Sequence, residues 1–204
     1  MSKEQFIVEL EKIGVYLTEK QLEQLHIYYE MLVEWNKVMN LTGITEEDQV
    51  YLKHFYDSLT ICKVINLNKQ ENLCDIGTGA GFPGMVIKIC FPHLKVILVD
   101  SLAKRLNFLN AVIEKLELTN IETVHDRAEE YAIKNREQFD VVTTRAVATL
   151  NILLEYCIPS FCFLLSGKCI RRVRKRLGSN REALFGCQIS PLSQVCHLRW
   201  MLRA

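Results

Sequence analysis

Apolar residues recur at helical intervals through the first sixty positions: Phe6, Ile7, Leu10 and Ile13, then Leu22, Leu25, Tyr28, Tyr29, Leu32 and Trp35. Thr18 followed by Gln21 has the spacing of a capping box and predicts where the second helix starts. The stretch "NLTGIT", Asn40 to Thr45, interrupts the pattern, and "DQVYLKHFYDSLTICKVI" resumes it as a further helix. Residues 1–66 therefore read as a helical cap. From Glu71 the texture changes to short apolar runs, "NLCDIG", "KVILVD" and "FDVVTT", separated by helical patterns such as "SLAKRLNFLNAVIEKLEL". That alternation predicts βαβ units, and so an α/β core with a mostly parallel sheet over residues 67–160.

Residues 161–204 fit neither pattern, and charge sets them apart as well. The chain has 25 basic and 24 acidic residues, but Met1 to Ser160 carries 16 basic and 23 acidic while Phe161 to Ala204 carries 9 and 1. A net +1 thus divides into a body of −7 and a tail of +8, a split that suggests a nucleic-acid partner. The first residues lack the apolar h-region of a secretion signal, and no run reaches the length of a membrane span, so a cytoplasmic protein without membrane contact is expected. Eight cysteines at irregular spacings, with no CxxC pair, predict reduced thiols and no metal site; Cys62, Cys74, Cys90 and Cys157 are expected to be small buried hydrophobes.

The candidate chemistry lies in "NLCDIGTGAGFPG", Asn72 to Gly84, where Gly77, Gly79, Gly81 and Gly84 follow the first strand. Such a loop lets backbone N–H groups and a helix N-terminus approach a ligand closely. It lacks the Gly-Lys-Ser/Thr ending that a triphosphate requires. A dinucleotide fits better, because Asp100 ends the next strand where a ribose-binding carboxylate belongs. However, the third fingerprint glycine is replaced by Phe82, and Asp75 brings a carboxylate that would repel a pyrophosphate yet suit an ammonium and a sulfonium. Loop and charge together point to S-adenosylmethionine, with an NAD(P)-dependent oxidoreductase as the alternative.

The loop "DIGTGAGFPG", the upstream "EWNKVMNLTGI" and "HFYDSL", and the downstream "RAEE" and "DVVTTRAVA" stand in an order that resembles the bacterial 16S rRNA guanine-N7 methyltransferases of the RsmG (GidB) type. The resemblance covers Phe6 to Ser160. It implies a Rossmann-like methyltransferase domain behind a helical N-terminal segment, acting as a monomer on guanine 527 in the 530 loop of 16S rRNA, free or in an assembling small ribosomal subunit. It implies that Gly77, Gly79, Gly81 and Phe82 wrap the methionine end of S-adenosylmethionine, that Asp100 binds the ribose, and that Ala128 and Glu129 flank the adenine.

The chemistry agrees with the resemblance. The chain has no Asn/Asp-Pro-Pro-aromatic motif for exocyclic amines and no Pro-Cys nucleophile for pyrimidine C5. Guanine N7 carries a free lone pair and no proton, so its methylation needs positioning rather than a catalytic base. Arg145 ends a buried-looking strand and is expected to contact cofactor or substrate, or else to form a structural salt bridge. His54 and Asp57, three apart, share a helical face; Asn36, Asn40 and Thr42 surround a helix end; Lys104 and Arg105 open the helix after Asp100. Of these, Asn40, His54, Lys104 and Arg105 are the candidates for RNA contact, each against a capping, paired or solvated role. Trp35, Tyr28 and Tyr29 sit at core spacing and are not read as a base-stacking platform.

The family pattern stops after Ser160. One reading of the basic tail is an RNA-binding arm, which would make the protein a non-catalytic RNA binder with a vestigial site. The other is a change of reading frame: codons for Ile170 to Phe185 can be chosen so that removing one base gives "SEELEKDLEAIEKLF", an acidic amphipathic helix. A single frameshift would account for the charge reversal, the clustered cysteines and the lost periodicity together, and would impair the enzyme.

Overall fold

The computed structural model describes residues 1–145 together with the backbone of two later strands, 186–189 and 195–199. Two N-terminal helices, α1 (Lys3–Glu11) and α2 (Glu19–Met39), both begin at capping boxes, Ser2 with Gln5 and Thr18 with Gln21, which satisfy their first free N–H groups reciprocally. α2 ends at Asn40, whose left-handed backbone (φ 48°) turns the chain into the "LTGI" segment. The next helical stretch is irregular. A single turn, α3 (Glu47–Val50), runs into a π-helical segment over Tyr51–Tyr56, then α4 (Asp57–Leu59) and a 3₁₀ turn over Thr60–Lys63.

The sheet contains β1 (Asn72–Ile76), β2 (Lys95–Asp100), β3 (Ile121–His125) and β4 (Val141–Arg145), all parallel, in the order β3-β2-β1-β4. Helices α5 (Gly84–Cys90), α6 (Ala103–Lys115) and α7 (Ala128–Lys134) follow β1, β2 and β3. Successive strands move one way from β1 to β3 and then jump to its other side, so the strand order reverses between β1 and β4. Ligands in open α/β sheets bind outside the strand C-termini at such a reversal.

Alternation along the strands divides the core. Leu73, Val96 and Leu98 face one large cluster with α2, α5, α6 and the irregular helix, whereas Cys74, Ile76, Ile97 and Val99 face a smaller one with Tyr131 of α7. The N-terminal helices are built into the larger cluster: Phe6, Leu25, Tyr28 and Leu32 are wholly buried there. Polar ties reinforce the packing, because Gln21 Nε2 donates to the Ile89 and Cys90 carbonyls at 2.9 and 3.0 Å and Gln24 Nε2 to Leu116 at 3.0 Å. These are carbonyls at the C-terminal ends of α5 and α6, which lack partners within their own helices. Cys74 and Cys90 are buried and Cys62 partly so, with burial lifting the Cys62 thiol to about 12; Cys157 lies outside the described residues.

Beyond β4 the sheet continues with β6 (Val195–Arg199) and β5 (Gly186–Ile189), both antiparallel to their neighbours. The sequence reading placed no strand in the tail. "VCHLR" lacks a clean period of two, but an open edge at β4 offers backbone donors and acceptors whatever the side-chain pattern. The rest of 146–204, where the arm and frameshift readings fall, lies outside the described residues.

Candidate functional site

The strand ends and the helical cap enclose a cleft of about 500 Å³. Its floor follows the sheet order. Asp126 and Arg127 come from the loop after β3, Ala128 and Glu129 from the start of α7, Asp100 and Ser101 from the end of β2, Gly77 to Ala80 from the loop after β1, and Arg145 from the end of β4. The cap closes the β4 side with Leu41, Thr42 and His54.

The glycine loop needs left-handed backbone at Gly77 (φ 69°), Gly79 (φ 62°) and Gly81 (φ 102°), which side chains strongly disfavour. The three glycines differ in what they face. A methyl on Gly79 would meet only the Gly77 carbonyl, at 4.0 Å, so this position is a cradle open to a ligand. A methyl on Gly81 would come within 2.6 Å of the Tyr28 hydroxyl and 2.9 Å of Leu109 and Met85. Gly81, expected to wrap the cofactor, lies outside the cleft lining; it lets the cap press onto the loop, where the Tyr28 hydroxyl donates to the Ala80 carbonyl at 2.5 Å.

The two acidic residues of the sequence argument are also structural braces. Asp75 is fully buried and lines no part of the cleft. Its Oδ2 accepts from the Thr78 hydroxyl at 2.7 Å and the Gly84 N–H at 2.9 Å, and Oδ1 from the Thr143 hydroxyl at 3.0 Å. Burial raises its pKa against these three donors. The idea that Asp75 faces a cationic ligand is therefore wrong in detail. Its carboxylate occupies the N-terminus of α5, the place where a dinucleotide phosphate would sit, so it excludes the pyrophosphate by position as well as charge. Asp100 does line the cleft, yet it already accepts from the Gly79 N–H at 2.9 Å through Oδ2 and from the Leu102 N–H at 2.9 Å through Oδ1. Arg105 pairs with it at 3.4 Å, so this residue, read as a candidate for RNA contact, faces the cleft beside Asp100.

On the β4 side a buried polar chain links sheet and cap. Arg145 Nη2 lies 3.0 Å from His54 Nδ1, and Nη1 lies 3.4 Å from Asp57 Oδ2 and 3.3 Å from the Lys53 carbonyl. The π-helical turn makes the last contact possible: the Asp57 N–H bonds the Leu52 and His54 carbonyls and passes over Lys53. The Arg145 guanidinium sits 5.1 Å from the Phe82 ring, against which His54 stacks at 4.4 Å and 12°. His54 is only 8% exposed; burial and the neighbouring guanidinium hold its pKa down at about 4. Phe82 lines the cleft, but most of its surface is spent against Tyr28, His54 and Phe55.

Thus Gly77, Gly79, Phe82, Asp100, Ala128, Glu129, Arg145, His54 and Arg105 meet at one cleft. Asn40 and Lys104 are exposed and outside its lining, Asn40 serving as the cap of α2. Sequence reasoning missed Thr78, Ser101, Asp126 and Arg127. Arg127 stood inside the quoted "RAEE", but nothing in its local pattern separates it from a solvated helix start.

The chain matches the family model described as GidB, rRNA small subunit methyltransferase G, over residues 21–169. It belongs to this family. The ribosomal RNA small subunit methyltransferase G of Listeria monocytogenes serotype 4b (strain CLIP80459) is 53% identical over 161 residues, covering 78% of this chain and 68% of that protein. The protein of the same name from Bacillus thuringiensis (strain Al Hakam) is 54% identical over 161 residues, 78% of this chain and 67% of its own length. Among solved structures, a Staphylococcus aureus protein assigned as a caffeoyl-CoA O-methyltransferase superposes with a TM-score of 0.55 at 12% identity, covering 96% of this chain and 98% of that one. That likeness concerns the fold, which is α/β and Rossmann-like. Membership of a methyltransferase family sets the NAD(P)-dependent oxidoreductase alternative aside. The family match ends at residue 169, within the tail where the sequence pattern breaks down.

Proposed function

We propose that this protein transfers a methyl group from S-adenosylmethionine to N7 of guanine 527 in the 530 loop of 16S rRNA. The observation that carries this reading is that, among the described residues, no group at the β4 end of the cleft is free to take a proton. Arginine can only donate, so His54 Nδ1 must accept from Arg145, and Nε2 then carries the hydrogen toward Thr42. Both imidazole nitrogens are occupied. The carboxylates that line the cleft, Asp100, Asp126 and Glu129, come from the ends of β2 and β3, away from Arg145 in the sheet order. No cysteine lines the cleft among the described residues. Such a site suits an acceptor with a ready lone pair, and guanine N7, an unprotonated ring nitrogen on the major-groove edge, is such an atom.

S-adenosylmethionine supplies an electrophilic methyl on a sulfonium. Gly77 and Gly79 would lie along its methionine end, where the cradle at Gly79 leaves room; the Asp100 carboxylate would accept from the ribose; Ala128 and Glu129 would flank the adenine. This places the cofactor along the ends of β1 to β3 and leaves the side bounded by Arg145, Phe82 and Thr42 for the base. The protein's contribution is alignment, which can supply about 7–11 kcal/mol when two reactants are held in register.

The test is incubation of the protein with unmodified 16S rRNA, or a small subunit carrying it, and labelled S-adenosylmethionine, followed by borohydride and aniline cleavage at N7-methylguanine. Cleavage at guanine 527 is expected. Methyl incorporation at another atom or nucleotide overturns the reading. The +8 charge of residues 161–204 favours a second one, an RNA binder without catalysis. Complete loss of RNA affinity on deleting 161–204, with no methyl transfer by the whole chain, would select it.

A further inference from the structure

The polar chain at the β4 end does more than hold Arg145. Arg145 Nη2 fixes His54 as an acceptor at Nδ1 and therefore as a donor at Nε2, 3.0 Å from Thr42 Oγ1. The Ile44 N–H donates to the same oxygen at 3.1 Å. Both lone pairs of the Thr42 hydroxyl are thus engaged, and its hydrogen has no acceptor among the described residues. Thr42 is held by its backbone too, since its N–H donates to Asn36 Oδ1 at 2.8 Å. Thr42 belongs to the cleft lining, together with His54 and Arg145.

We propose that the Thr42 hydroxyl reads the base, donating to O6 of the purine whose N7 receives the methyl group. This rests on the guanine-N7 reading and gives it a specificity-determining residue. Guanine and adenine share N7 but differ beside it: guanine presents the acceptor O6 and adenine the donor N6 amino group. A hydroxyl with both lone pairs filled can donate only, so it welcomes O6 and leaves an amino group facing its hydrogen without a partner. An ordinary serine or threonine rotates to suit either. His54 and Arg145 are positioning residues in this scheme, since they act through Thr42.

The experiment compares the wild-type protein with Thr42→Val and Thr42→Ser on rRNA carrying either guanine or 2,6-diaminopurine at the target nucleotide; diaminopurine keeps N7 and the 2-amino group but replaces O6 by an amino group. The wild-type protein should prefer guanine strongly. Thr42→Val should lower kcat/KM for guanine by roughly 10- to 100-fold, the usual loss of one well-placed hydrogen bond, while changing turnover of the diaminopurine RNA less than threefold. Thr42→Ser should restore the guanine preference. The dissociation constant for S-adenosylhomocysteine, which reports that each variant is folded, should stay within threefold.

Equal losses on both RNAs, a serine variant as unselective as the valine one, or wild-type turnover of diaminopurine RNA equal to that of guanine RNA would each overturn the assignment. The last outcome needs no variant. If the wild-type protein forms no N7-methylguanine at all, the parent reading falls and this one with it. If it does form N7-methylguanine and the preference does not move, only the role of Thr42 is refuted.

Discussion

Replacing Asp100 by Asn separates a cofactor contact from a brace, because the two roles affect different measurements. The carboxylate accepts two backbone N–H groups, from Gly79 and Leu102, one on each oxygen. Asparagine keeps the shape but has one oxygen, so its amide NH₂ must face one of those N–H groups and leave it without a partner in a site that is 3% exposed. Stranding a buried donor costs about 1–3 kcal/mol. The Arg105 pair, at 3.4 Å with a partly exposed guanidinium, adds at most about 1 kcal/mol. The expected loss is about 2–3 kcal/mol in urea unfolding without cofactor, or about 5–10 °C in melting temperature for a chain of this size. Since Gly79 shapes the cradle, calorimetric titration with S-adenosylhomocysteine should also show affinity falling by roughly 10- to 100-fold. Stability within about 0.5 kcal/mol of wild type would refute the brace, whatever happened to affinity. A loss of affinity alone would make Asp100 a ligand contact and nothing more.

The glycines should divide in the same way. Gly81→Ala puts a methyl against Tyr28, Leu109 and Met85 and should destabilise the protein by about 3 kcal/mol or more, whereas Gly79→Ala should cost about 1 kcal/mol for its left-handed backbone and act chiefly on cofactor affinity; melting curves that reverse this order would refute the division. The pKa of His54 is held at about 4, below its ordinary 6.5, so the unfolded chain takes up the proton first; stability, full above about pH 6.5, should fall by about 3 kcal/mol as the pH drops toward 4. His54→Gln should remove that slope, and a wild-type-minus-variant curve that stays flat from pH 7 to 4 would show that the histidine is not buried neutral. Resequencing the gene across the codons for residues 160–168 should reveal a frame change, and an unaltered frame in a chain that methylates rRNA would make the tail a genuine replacement.

The parts of the molecule set by local pattern could be read before the structure: the capping box at Thr18, the strands ending at Ile76 and Asp100, and the glycine loop between them. What the sequence left open was where each polar group points. Asp75 and Asp100 both end strands, and nothing in "LCDIG" or "ILVDS" says that one is sealed under the loop while the other borders the cleft. Gly79 and Gly81 look equivalent two residues apart, but only contact with Tyr28, more than fifty residues upstream, sets Gly81 against the cap while Gly79 borders the open cleft. The π-helical turn is similar. "YLKHFY" has the composition of an ordinary helix, and its register becomes intelligible only when the Lys53 carbonyl is seen accepting from Arg145 at the end of a distant strand. His54 and Asp57 share a side of the helix as their spacing suggested, yet the group they converge on comes from β4.

A methyl transfer that removes no proton changes what a buried titratable residue is for. In an acid–base site such a residue must keep a lone pair or a proton available, and its neighbours tune that availability. Here Asp75 is committed to three donors, His54 has a partner on each nitrogen, and Arg145 reaches Asp57, His54 and the Lys53 carbonyl. Each link restricts the next. Arg145 at the end of β4 dictates the tautomer of His54 in the π-turn, His54 dictates the direction in which Thr42 can donate, and Phe82 from the glycine loop packs against both the imidazole and the guanidinium. The glycine loop and the cap are thereby held as one body, so that in the proposed function the distance between methyl donor and acceptor would be set by packing and hydrogen bonds. Among the described residues the three cleft carboxylates lie at the β2 and β3 ends, where the proposed function puts the ribose and the adenine, and the side it leaves for the base presents hydrogen-bond donors from Arg145 and Thr42 instead.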